Sequence, residues 1–169
     1  MLRLVGILAM IWLCRVLMLF VFALFWGGLT FYTGFVVRIS HEVLNDPFDG
    51  GLITQRVTVL LQYLGVAAGL LMLINAGTIA RRSRGYGVAL TALASTLLIS
   101  VIGLCVVHAQ LDAVIDIDAG EILDRDTFTI GHRRYNQLTT VEWIASVLYL
   151  PVTLFAWRSV DRREPSDGG

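Results

Sequence analysis

Long apolar segments separated by short polar ones are the dominant pattern of the chain. Four of the apolar segments are long enough to cross a hydrocarbon core roughly 30 Å thick at about 1.5 Å of rise per residue. They cover about 16–37, 57–80, 88–111 and 138–157. The pattern therefore predicts an all-α integral membrane protein, a four-helix bundle in a single domain over residues 1–160. We expect 161–169 to form a disordered cytoplasmic tail.

Composition excludes a soluble domain. Hydrophobic residues make up 56% of the 169, and charged residues only 15%, against about 25% in soluble domains. The mean hydropathy of +0.73 agrees with this. The formal net charge is zero, so the chain lacks the basic footprint of a nucleic-acid-binding protein. The partner implied by the composition is the lipid bilayer.

The threading follows from the distribution of arginines. Four spans place both termini and the 81–87 link on one side, which carries eight of the thirteen basic residues. The positive-inside rule makes that side cytoplasmic, and we expect a bacterial inner membrane. Segments 38–56 and 112–137 are then outer loops, the second with an amphipathic stretch on the membrane surface. Residues 4–14 fit an interfacial segment, part of the first span or a wrongly assigned start, and these alternatives stay open.

Small residues mark expected packing faces, because they let membrane helices approach closely. The second span has a G-x-x-x-G motif at Gly65 and Gly69, which we expect to serve a contact within the bundle. Gln62 and Asn75 are expected to form interhelical hydrogen bonds. The first span carries a stripe of small residues at helical spacing: Ala23, Gly27, Thr30 and Gly34.

The same stripe, continued, reaches Arg38 and His41. One interpretation makes these residues the edge of the membrane, with Arg38 bonded to Glu42 four residues on. The other makes them part of an outer-face site in which Arg38 pairs with Glu142. Removing either partner of that pair would then destabilise the bundle. The predicted polar cluster at the outer face comprises Arg38, His41, Arg134 and Glu142.

Glu142 is the one acid inside a predicted span. An ionisable residue within a membrane is a functional hypothesis by default. The structural alternative is a capping box with Thr139 at the start of the fourth helix.

Three histidines, His41, His108 and His132, all fall at the predicted outer face. His108 shares a helix face with Cys105 and Asp112, and imidazole, thiolate and carboxylate are ligands that transition metals take. The three histidines do not show the spacing of a recognised metal-binding motif, so we predict no cofactor from a motif. A metal or haem site at the three histidines is kept as a hypothesis.

Two stretches, "FWGGLTFYTGFVVRI" and "DRDTFTIGHRRYNQLTTVEWIASVL", resemble a family of small four-span bacterial membrane proteins of unknown function. That family is similar in layout to the transmembrane part of copper-resistance D-type proteins. The resemblance implies a four-helix bundle and no established activity. The residues that carry it are Trp26, Gly27 and Gly28 in the first span, with Phe128, His132 and Tyr135 before the fourth.

Three functions fit these observations. The first is a structural or partner-binding membrane subunit, with a homodimer or another membrane protein as partner. The second is a metal- or haem-binding membrane protein, which convergence of the three histidines would favour. The third is a small transporter with Glu142 and Arg38 in its path, which a polar cavity reaching the middle of the membrane would favour. The chain has no catalytic motif, and we do not expect an enzyme.

Overall fold

The structure, a computed structural model, describes residues 2–44, 47–117 and 119–162. Four long helical segments packed side by side make up most of this part of the chain, so the all-α prediction is confirmed. The elements are α1 (Leu2–Phe31), a π-helical turn (Tyr32–Val36), α2 (Val37–Val43), α3 (Pro47–Ala80), α4 (Arg84–Asp112), β1 (Ile115–Asp116), β2 (Glu121–Ile122) and α5 (Arg125–Asp161).

All four helical segments are long and apolar enough to span a membrane. The candidate spans are Ala9–Val43, Phe48–Ala80, Arg84–Asp112 and Arg125–Asp161. At most 39% of any apolar window is buried inside the bundle. Such large exposed apolar surface is stable in lipid and not in water. The chain is therefore a polytopic membrane protein in contact with the bilayer.

The helices extend well beyond the predicted spans. The first one is helical from Leu2 and continues through the π-helical turn to Val43, so residues 4–14 are a helical extension of the first span. The predicted outer loop 112–137 is wrong over residues 125–137, which are helical because α5 begins at Arg125. Hydropathy marks only the part of a helix that lies in lipid, whereas capping sets where the helix starts.

The cap of α5 is Asp124. Its side chain accepts hydrogen bonds from the backbone amides of Asp126 and Thr127 at 3.1 and 3.0 Å. Before it, β1 and β2 form a short antiparallel hairpin that pairs Ile115 with Ile122. This hairpin replaces the amphipathic surface stretch predicted there. At the other end of α5 the helix stops at Asp161, and 163–169, most of the predicted tail, lie outside the described residues.

Helix α4 packs most extensively against α3 and α5, and α1 packs mainly on α3. Arg15 of α1 bonds Asp161 of α5, which places the start of the first helix beside the end of the last. We call this the tail end of the bundle; it also holds the α3–α4 turn. The opposite end, with α2, the β1–β2 hairpin and the start of α5, is the hairpin end.

The packing face predicted for α1 is wrong at three of its four residues; the fourth, Thr30, is half-buried and accepts a hydrogen bond from Trp143 of α5 at 2.9 Å. Ala23, Gly27 and Gly34 are exposed, and a Cβ added at either glycine would meet nothing within 4 Å. Large side chains fill the contact of α1 with the bundle instead. The buried residues of the first helix are Met18, Phe22, Phe25, Leu29 and Tyr32.

The G-x-x-x-G motif of α3, in contrast, serves internal contacts as expected. A Cβ at Gly69 would lie 2.5 Å from the side chain of Leu98 on α4. A Cβ at Gly65 would lie 3.0 Å from Phe25, 3.0 Å from Val101 and 3.2 Å from Glu142. Gly65 thus lies where side chains of α1, α4 and α5 converge.

Candidate functional site

Glu142 lies in the middle of α5, and only 2% of it is exposed. The capping box with Thr139 is therefore wrong, because α5 starts at Arg125 and the amides near Thr139 are already bonded within the helix. Ser146 uses its hydroxyl to bond the backbone carbonyl of Glu142 at 2.9 Å. The carboxyl group itself remains free to face the interior of the bundle.

A small cavity adjoins this carboxyl group. Its volume of about 30 Å³ is enough for one or two water molecules. All four long helices contribute to its walls, and the polar side chains of α3 and α5 recur at spacings of three and four residues. The lining residues are Phe25, Leu29, Thr33, Thr58, Leu61, Gln62, Leu104, Tyr135, Thr139 and Glu142.

Two polar atoms of the cavity wall have no hydrogen-bond partner within the described part of the chain. They are Nε2 of Gln62 and Oγ1 of Thr139. The other amide atom of Gln62, Oε1, accepts from the Cys105 thiol at 3.5 Å, so the predicted interhelical bond of Gln62 is present. Buried polar atoms are nearly always bonded to protein or water. These unpaired groups therefore point to water or a small polar ligand beside Glu142.

The expected outer-face cluster does not assemble around Glu142. Arg38 donates from Nε to Glu42 at 2.9 Å, and 81% of its side chain is exposed. His41 is exposed, with Nδ1 2.7 Å from the carbonyl of Val37, and Arg134 is also exposed. The predicted pair of Arg38 with Glu142 is wrong, since the stripe that leads to Arg38 faces outward. Among the described residues, no basic side chain is paired with Glu142.

The three histidines likewise occupy separate environments. His132 is exposed and stacks on Phe128, with ring centroids 5.9 Å apart. His108 is mostly buried, and its Nε2 lies 3.5 Å from the carboxylate of Asp112. Within the residues that the structure describes, no three His, Cys, Asp or Glu side chains are grouped so that they could hold a metal ion. The convergence that would have favoured a metal or haem site is not present there.

A hydrogen-bonded network fills the bundle between the cavity and the tail end. Asn75 donates to the hydroxyl of Tyr149 at 2.9 Å, and that hydroxyl donates to the carbonyl of Met72 at 2.8 Å. Trp157 donates to Oδ1 of Asn75 at 2.9 Å. This confirms the interhelical bonds predicted for Asn75. Asn75, Tyr149 and Trp157 are thus bonded to one another across α3 and α5, whereas the buried hydroxyl of Thr153 on α5 has no partner among the described residues.

The same network reaches the tail-end surface through Arg15. Its guanidinium lies over the ring of Trp157, 4.9 Å from the centroid, and makes two bonds of 2.8 Å to Asp161. Unpaired polar atoms thus lie around Glu142, whereas the side chains of this network, toward the tail end, are bonded to each other. Sequence reasoning singled out Glu142 and missed its surroundings. A signal was present, because Tyr135, Thr139 and Glu142 follow one another on one helix face at spacings of four and three residues.

The π-helical turn at Tyr32–Val36 lies beside the cavity, since Thr33 and Leu29 are lining residues. A π-helical turn widens one turn of a helix, and such turns are frequent at functional sites. Here the turn sits in the helix that closes one side of the cavity. It is a local departure from ideal helix next to the buried acid.

Comparisons with models of known protein families, with curated proteins and with solved structures found no match for this chain. The four-span layout implied by the resemblance to small bacterial membrane proteins is present, and no family is identified.

Proposed function

We propose that this polytopic membrane protein is a small transporter in which Glu142 binds and releases a proton. The observation that carries the proposal is a carboxyl group, 2% exposed, in the middle of a membrane-spanning helix beside a small cavity that has polar side chains in its wall. Of the three functions that fit the sequence, this is the one that a buried acid beside a cavity with unpaired polar groups favours.

The physical argument starts from the missing counter-charge. An ionised carboxylate in an apolar interior is strongly disfavoured unless a cation or several hydrogen bonds compensate it. No basic side chain among the described residues fills that role for Glu142. The group therefore favours an added proton, and water in the cavity would supply a route for it. Acids of this kind mark proton relays in membrane pumps and transporters.

The arrangement of polar groups supports opening toward one side. The cavity lies on the hairpin side of the Asn75–Tyr149–Trp157 network, whose groups are bonded to each other. These side chains donate to and accept from one another, and none of them lines the cavity. In this conformation Glu142 therefore exchanges with the hairpin end, and transport requires that the network rearrange.

The location of the protein is part of the proposal. We place it in a bacterial inner membrane as a single domain over 1–160, with the tail end and both termini cytoplasmic. The support is the excess of arginine at the tail end under the positive-inside rule. The partner-binding role and the homodimer stay predictions, as does a metal or haem site.

The test is proton movement in proteoliposomes. Vesicles that contain the wild-type protein and an internal pH-sensitive dye should dissipate an imposed pH gradient faster than empty vesicles. Glu142→Gln removes the proton-binding group with little change of shape and should return the rate to that of empty vesicles. Glu121→Gln, on the exposed hairpin, is the matched control and should keep the wild-type rate. Equal rates for the wild type and Glu142→Gln would refute the proposed function.

A further inference from the structure

A line of polar residues leads from the hairpin-end surface toward the cavity, between α4 and α5. Its outermost member is Asp112, whose side chain is 41% exposed. One carboxylate oxygen of Asp112 accepts from Nε2 of Gln55 on α3 at 2.6 Å. The other lies 3.5 Å from Nε2 of His108, whose side chain is only 13% exposed. The imidazole is thus just beneath the surface and held beside a negative charge.

The next member is Tyr135 of α5. Its ring lies against the ring of His108, with centroids 6.4 Å apart and planes tilted by 50°. Tyr135 also lines the cavity that contains Glu142. The sequence of groups from water inward is therefore Asp112, His108, Tyr135, the cavity and Glu142.

We infer that His108, oriented by Asp112 and followed by Tyr135, is the relay through which protons pass between the hairpin-end surface and Glu142. This inference rests on the proposed function, because it assumes that Glu142 exchanges protons. His108 suits the role, since an imidazole ring carries two nitrogens that can accept and release a proton on opposite sides of the ring.

The transfer moves one proton and changes only N–H and O–H bonds. A hydronium ion gives its proton to Nε2 of neutral His108 and becomes water. The imidazolium, stabilised by Asp112, gives the proton on its other nitrogen to a bridging water, which passes one of its own protons to the hydroxyl oxygen of Tyr135. Tyr135 releases its original hydroxyl proton to a cavity water, which protonates the carboxylate of Glu142. His108 is left as its other neutral tautomer and resets by proton exchange with water.

The groups that face the relay come from three helices. Asp112 belongs to the helix of His108, Gln55 of α3 acts on it through Asp112, and Tyr135 belongs to α5. At the cavity the titratable neighbours are Tyr135 and, through its bond to Gln62, Cys105. The exposed His132 stacks on Phe128 of its own helix. It lies outside the relay and provides a matched control.

The test is the rate at which Glu142 takes up a proton after a pH jump, followed by time-resolved infrared spectroscopy of the reconstituted protein. The signal is the carboxyl C=O stretch that disappears in Glu142→Gln. His108→Ala should slow its appearance by about 10²-fold, the scale on which a positioned acid–base group assists proton transfer. Its final amplitude should be unchanged. Imidazole added to the buffer should restore much of the rate, and His132→Ala should match the wild type.

The outcomes separate the relay from the proposed function. A wild-type rate in His108→Ala would overturn the relay and leave Glu142 as the proton-binding group. A slow rate that imidazole does not restore would also overturn it, because the effect would then be structural. If His108→Ala does not fold, Asp112→Asn at the surface replaces it. A wild-type rate of Glu142 protonation in that variant would also overturn the relay. A band that never responds to pH in the wild type refutes the proposed function itself.

Discussion

At the residue scale, the geometry of the site depends on Gly65. The absence of a side chain there leaves room for the carboxyl group of Glu142 against α3, because a Cβ would lie 3.2 Å from its Oε1. The same Cβ would lie 3.0 Å from Phe25 and from Val101, both fully buried. Side chains from three helices would each have to move by a few tenths of an ångström to accept one methyl group.

We predict that Gly65→Ala destabilises the bundle by about 1–3 kcal/mol, the usual cost of overpacking a core. Gly77→Ala is the control, since a Cβ there meets nothing within 4 Å, and alanine in a helix interior is favoured over glycine by about 0.5–1 kcal/mol. The measurement is the free energy of unfolding of each variant in detergent micelles. Equal stability of the two variants would mean that the helices are not packed closely at Gly65.

The residue scale also separates what the sequence could predict from what it could not. Glu142 stood out because it is an acid in an apolar run, which is visible in one dimension. Its neighbours come from four helices, so their convergence depends on how the helices are rotated against each other. The small residues of α1 were a misleading guide to that rotation. Gly27 faces outward, and the pairing of Arg38 with Glu142 failed with it.

At the element scale, the start of α5 decides how much of the chain is loop. Hydropathy predicted the helix core correctly and missed its first turns, which are polar and held by the Asp124 cap. Thr127 donates to this carboxylate from its hydroxyl at 2.7 Å and from its amide at 3.0 Å. These hydrogen bonds lower the pKa of Asp124, and the bond from the Thr127 hydroxyl has the largest effect.

The lowered pKa makes the cap sensitive to acid in a definite direction. Stability from Asp124 is present above the pKa of the unfolded chain and is lost as the pH falls through the lower pKa of the folded state. We predict that Asp124→Ala reduces the thermal midpoint at neutral pH, and that the difference from the wild type shrinks as the pH is lowered through that range. Thermal unfolding followed by circular dichroism at several pH values measures this. A difference that grows in acid would contradict the cap.

At the scale of the whole molecule, the four spans place the hairpin and the α3–α4 turn at opposite ends. The hairpin end carries the relay, and the tail end carries the arginine-rich turn. In the orientation that we propose, with the tail end cytoplasmic, the relay opens on the opposite side of the membrane. Proton uptake from that side would then be driven by the normal gradient across the membrane.

We predict that a cysteine introduced by Glu121→Cys on the hairpin reacts with a membrane-impermeant thiol reagent in intact cells. A cysteine introduced by Ser83→Cys, before α4, should react only after the cells are opened. Both variants are made in a background without Cys14 and Cys105, which are free thiols. The reverse pattern of labelling would invert the threading and place the relay in the cytoplasm.

The central claim is that Glu142 is a buried carboxyl group that takes up and releases a proton inside the bundle. Equilibrium infrared spectroscopy of the reconstituted protein tests it most directly, by comparing spectra of the wild type and Glu142→Gln from acid to alkaline pH. The account predicts a C=O band of a protonated carboxyl group that is present in the wild type, fades as the pH rises, and is missing from Glu142→Gln at every pH. Spectra of the two proteins that change identically with pH would contradict the account.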